Sequence, residues 1–72
     1  MEKHILQYFV FNEAGTDILE GNAFILDSEA ELNDLATTLI SNYHSDPDLN
    51  KLGLVLMNNT TGKMLFDSNE EK

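Results

Sequence analysis

Asp27-Ser28-Glu29-Ala30-Glu31-Leu32-Asn33-Asp34-Leu35-Ala36-Thr37-Thr38-Leu39-Ile40-Ser41-Asn42-Tyr43 is the one stretch of this chain with helical periodicity, set between segments of strand character. Ser28 and Glu31 stand at capping-box spacing, where a serine hydroxyl accepts from the N–H three residues on and the glutamate reaches back. Leu32, Leu35, Ala36, Leu39, Ile40 and Tyr43 follow at steps of three and four, which places them on one stripe. Asp27, Glu29, Glu31 and Asp34 complement the positive end of the helix dipole. The pattern predicts a helix from about Glu29 to Tyr43 or His44. Pro47 ends it by biasing Asp46 away from helical geometry, and Asp46-Pro47 can cap a short turn from Leu49 to Lys51.

On either side of this helix the chain reads as hairpins. His4 to Phe11 is rich in β-branched and aromatic residues and is of strand length. Asn12-Glu13-Ala14-Gly15-Thr16 is a five-residue turn in which Gly15 supplies a left-handed position, and an extended stretch runs from Asp17 to Leu26. Gly21-Asn22 marks a bulge or a place where another element packs closely on the backbone. After the helix, Leu52 to Met57 and Lys63 to Asp67 flank the turn cluster Asn58-Asn59-Thr60-Thr61-Gly62, a second hairpin. The expected fold class is α+β in the order ββαββ: an antiparallel sheet of two hairpins with one helix packed on one face. Residues 1–67 form a single domain, and 68–72 are a polar tail expected to fray. Whether the hairpins join within one chain or across a dimer stays open.

One helix is too little cover for these strands. A half-solvated strand alternates apolar with polar, yet in the first strand both parities, Ile5, Gln7, Phe9, Phe11 and His4, Leu6, Tyr8, Val10, are largely apolar. If Phe11 pairs near Asp17, then Phe9, Leu19, Gly21, Ala23 and Ile25 share a face, and the small Gly21 and Ala23 admit the helix. Leu6, Tyr8, Val10, Ile18 and Phe24 then lie on the uncovered face, as the contact surface of a homodimer. At about 1.5 to 3 kcal/mol per large apolar side chain, five such residues represent on the order of 10 kcal/mol, comparable with the stability of a small domain.

Composition narrows the function. The 72 residues carry 13 Asp plus Glu against four Lys and no Arg, a formal charge of −9. Without Cys there is no disulfide, thiolate nucleophile or Cys-ligated metal; without Arg there is no bidentate grip on phosphate. Direct nucleic-acid binding is not expected of so acidic a chain. No run approaches a membrane span, and Met1-Glu2-Lys3-His4 with the following residues lacks a cleavage site, so the expected location is cytoplasmic. Without a secretory signal, the glycosylation patterns at Asn58 and Asn59 are coincidental.

The motifs that could carry chemistry fail on spacing. Asp46, Asp48 and Asn50 open like a calcium loop, but Lys51 stands where glycine is needed and Met57 where a bidentate glutamate should close it. His44, Ser45 and Asp46 are adjacent and diverge, so they cannot form a proton relay. No phosphate loop or nucleophile elbow is present. No catalytic residue, metal or cofactor is expected, and the chain is not read as an enzyme.

What remains is a small acidic non-catalytic interaction module, an adaptor or inhibitor, expected to dimerise and to meet a basic protein. The acidic partner surface is expected at Glu13, Asp17, Glu20, Asp27, Glu29, Glu31 and Asp34. A neutral strip of Asn33, Thr37, Thr38, Ser41 and Asn42 on the helix exterior is a further contact candidate, because uncharged side chains desolvate more easily. Two alternatives stand beside this reading: an inhibitor whose carboxylates mimic nucleic-acid phosphates, and a small-ligand-binding or catalytic homodimer with its site between subunits.

Overall fold

The computed structural model describes residues 3–71; Met1, Glu2 and Lys72 of the expected domain and tail lie outside them. The order is β1 (His4–Phe11), β2 (Ile18–Leu26), α1 (Glu29–Ser45), a 3-10 turn (Leu49–Lys51), β3 (Gly53–Asn58), β4 (Lys63–Asp67) and a second 3-10 turn (Ser68–Glu71). The hairpins join within the chain into one antiparallel sheet of order β2-β1-β3-β4. This is the expected α+β arrangement, with α1 connecting edge strand β2 to central strand β3.

Local chemistry accounts for the boundaries. Ser28 Oγ accepts from Glu31 N–H at 3.1 Å and the Glu31 carboxylate accepts from Asp27 N–H at 3.2 Å, completing the capping box. At the other end Asp46 takes an extended conformation, and its carboxylate accepts from the N–H groups of Asp48 and Leu49 to open the short turn. An asparagine organises each hairpin loop. Asn12 Oδ1 accepts from Thr16 and Asp17 N–H, and Asn58 Oδ1 accepts from Thr60 and Thr61 N–H. Gly15 and Gly62 close these loops at φ of +73° and +75°, where a side chain would be strained.

The core lies between α1 and the central strands. Leu6 and Val10 of β1, Leu54 and Leu56 of β3 and Phe66 of β4 pack against Leu32, Ala36 and Tyr43 of α1, with Tyr8, Phe24, Leu35, Leu39 and Ile40 around them. The Tyr43 hydroxyl donates to Leu52 O at 2.7 Å, tying the helix end to the entry of β3. Among the described residues no buried side-chain N or O lacks a hydrogen-bond partner.

Three expectations need correction. Residues Leu6, Tyr8, Val10 and Phe24 do share a face, but it is the face the helix covers. α1 sits over β1 and β3, whose alternate large residues fill the core, so the small Gly21 and Ala23 of edge strand β2 do not decide where the helix lies. Ile18 parts from that group because the bulge falls at Leu19 and not at Gly21-Asn22: Val10 pairs with Glu20 and Phe11 with Ile18, which puts Ile18 on the opposite face. The tail is ordered at its start. Ser68 is buried, and its Oγ accepts from Leu54 N–H at 2.9 Å, continuing the pairing where β4 ends.

Candidate protein-interaction surface

Turning the helix onto Leu6 and Val10 leaves the other sheet face open. Its residues follow from register: Ile5, Gln7, Phe9 and Phe11 on β1 lie beside Ile25, Ala23, Gly21 and Ile18 on β2, and Gln7, Phe9 and Phe11 lie beside Met57, Val55 and Gly53 on β3. Met64 pairs with Met57 at the β4 edge. Ile25 is 66% exposed, Ile18 58% and Met64 46%, while Phe9, Phe11, Val55 and Met57 are half-buried. Asp67, paired with Val55, is the one charged side chain in these registered rows. In a chain of net charge −9 this face is therefore a largely neutral, apolar island.

Glycines shape it. Phe9 pairs with Gly21 and Phe11 with Gly53, so each ring has a strand neighbour without a side chain. The two rings lie 6.4 Å apart at 46°. At one end the face dips into a cavity of about 280 Å³ between Phe11, Val55, the Asn12–Gly15 turn and Asp67.

The expected acidic residues are all exposed, but they do not form one patch. Glu13, Asp17 and Glu20 gather at the β1–β2 turn, whereas Asp27, Glu29, Glu31 and Asp34 gather at the helix start. Along β2 the nearest members, Glu20 and Asp27, are about 23 Å apart, and Asp17 and Asp27 about 33 Å, at about 3.3 Å per residue. Several are engaged: Asp27 pairs with Lys3 at 3.2 Å, Glu20 accepts from Asn22 Nδ2 at 3.0 Å, and Asp17 accepts from Asn12 Nδ2 at 3.3 Å. Burial first, and the Glu20 charge second, raise the Tyr8 phenol above its ordinary pKa.

The neutral strip on α1 is exposed throughout, at Asn33, Thr37, Thr38, Ser41 and Asn42. Its hydroxyls are partly committed, since Thr37 Oγ1 donates to Asn33 O and Thr38 Oγ1 to Asp34 O. What sequence reasoning missed are the outer-face residues Ile5, Phe9, Phe11, Ile25, Val55 and Met57. The available signal was the second apolar parity of β1, Ile5, Phe9 and Phe11, which a single helix leaves uncovered if it takes the other face.

Among the described residues no group of three or more His, Asp or Glu is placed to hold a metal ion, and no helix is long and apolar enough to cross a membrane. Neither a family model, nor a curated protein, nor a solved structure matches the chain.

Proposed function

We propose that this chain is a small, acidic, non-catalytic protein-interaction module, an adaptor or inhibitor, that forms a two-fold homodimer through its open sheet face. The observation that carries the reading is the apolar face centred on Phe9, Ile25, Val55 and Met57, on the side of the sheet away from α1, which among the described residues is bordered at one end by the Asn12–Gly15 turn and by Ser68 and Asn69. Water contact with such a face is unfavourable, and a self-complementary interface removes it from both copies at once.

Charge opposes a second copy least at this face. Two chains of −9 repel, so they meet at lowest cost where charge is sparse, and this face is that place. Four strands about 4.8 Å apart and about 20 Å long give a projected area of about 400 Å² per copy, roughly half that of a standard stable interface, which makes the dimer a weak one. The dimer is accordingly concentration-dependent and strengthens with salt, which screens the repulsion.

Ile25→Glu tests the reading, because Ile25 is mostly exposed and its replacement leaves the core intact. Light scattering should give a dimer for the parent chain and a monomer for the variant, with the same circular dichroism spectrum. A variant that remains as dimeric as the parent would reject the open face as the interface.

A further inference from the structure

The free edge of β2 is a second surface, distinct from the open face. Among the described residues, β1 alone pairs with this nine-residue strand. Ile5 fixes which of its backbone groups are unused. Its N–H donates to Thr60 Oγ1 and its carbonyl accepts from Asn59 N–H, both on the β3 side of β1. Alternation along the strand then turns Leu6, Tyr8 and Val10 toward β2, where they meet Phe24, Asn22 and Glu20. The intervening residues Gly21, Ala23 and Ile25 therefore direct their N–H and C=O groups away from the sheet, and all three are exposed.

Beyond the bulge at Leu19, the described residues from Glu20 to Leu26 leave this edge unprotected against pairing. β2 contains neither proline nor lysine, whereas the opposite edge strand β4 is five residues long, starts with Lys63 and is interrupted by a register shift. Charge selects the occupant. Asp17 and Asp27 bracket β2 and Glu20 lies within it. A second copy would bring its own net charge of −9, with Asp17, Glu20 and Asp27, alongside the same three carboxylates in any register. In antiparallel pairing about Asn22, Asp17 would face Asp27 of the second copy directly at both ends, and like charges directly opposite destabilise a strand pair. A segment with a cation at each end meets a carboxylate at each end instead. The chain's own Lys3 already makes this contact at one end, 3.2 Å from Asp27.

We infer that the β2 edge binds an extended segment of another protein, about ten residues long with Lys or Arg at both ends, which joins the sheet as a fifth strand. The inference rests on reading the chain as an interaction module, but it uses an edge that face-to-face dimerisation leaves open.

The test is amide hydrogen exchange on the full chain, with and without a synthetic peptide of alternating Val and Thr carrying Lys at both ends. A second peptide with Glu in place of Lys is the control. The lysine peptide should slow exchange at Gly21, Ala23 and Ile25 by about tenfold or more, an effect that shrinks as salt is raised, while the glutamate peptide leaves them unchanged. Ala23→Pro removes one outward N–H without touching the bonds to β1 and should abolish the response; if it does not fold, Ala23→Lys blocks the edge by charge. Absence of protection by the lysine peptide, equal protection by the glutamate peptide, or protection that grows with chain concentration alone would each overturn the inference. Mass measured without peptide tests the dimer separately: a monomer whose edge amides still respond keeps this inference and discards the dimer.

Discussion

The ring of Phe9 lies against the backbone of Gly21 on the neighbouring strand, so closely that a Cβ at position 21 would sit 3.3 Å from Phe9 Cδ1. The ring occupies the space a residue-21 side chain would fill on the open face, and the strand interior tolerates glycine because the aromatic ring shields it. Phe11 repeats the relationship with Gly53, where a Cβ would lie 3.2 Å from Phe11 Cβ. Both rings thus cover backbone on either side of β1 and make the open face continuous from β2 to β3.

The two sheet faces should respond oppositely to truncation. Leu6 is fully buried under α1, so Leu6→Ala should cost about 2–5 kcal/mol. Ile25→Ser, on the open face, should change monomer stability by about 0.5 kcal/mol or less. Urea denaturation at a concentration where the chain is monomeric checks both, and a reversed order would mean that the helix covers the other face.

Ser68 should matter more than its place after the last strand suggests. Its Oγ is the acceptor for the buried Leu54 N–H, and Ser68→Ala leaves that donor unpaired, costing about 1–3 kcal/mol. A denaturation midpoint equal to the parent's would show that water or another group satisfies Leu54 instead.

At the helix start, Ser28→Ala removes the acceptor for Glu31 N–H and should cost about 1 kcal/mol. Ser28→Asp, which keeps an acceptor and adds favourable charge at the same end of the dipole, should recover most of it in the same denaturation series.

Tyr8 sets an alkaline limit. Its pKa is raised in the fold, by burial and then by Glu20, so the folded chain holds the phenolic proton more tightly than the unfolded chain does. The associated stability is fully present below the unfolded-state pKa of tyrosine and is lost as pH rises through the folded value. Ultraviolet titration of the parent and of Glu20→Gln should show Tyr8 ionising late in the parent and somewhat earlier in the variant, with burial keeping it above the ordinary value. An identical late ionisation in both would remove Glu20 as a contributor.

The helix, its cap and both hairpin turns were legible because each depends on residues close in sequence: Ser28 with Glu31, Gly15 after Asn12, Gly62 after Asn58. The grouping of Leu6, Tyr8, Val10 and Phe24 was legible too, since parity survives any choice of helix side. Which face the helix takes was not, because that depends on β3 adding beside β1, a contact between residues some fifty positions apart. Gly21 misled for the same reason: its small size serves Phe9 across the strand and not a helix above it. Ile18 could not be placed without the bulge at Leu19, where one extra residue shifts the pairing.

Sedimentation equilibrium of the unmodified chain across micromolar concentrations, at low and at moderate salt, decides whether the open face pairs with a second copy. The open face predicts a mass that climbs from 8.1 kDa toward twice that value as concentration rises, and that climbs at lower concentration when salt is added. A mass that stays at 8.1 kDa at every concentration and salt would contradict it.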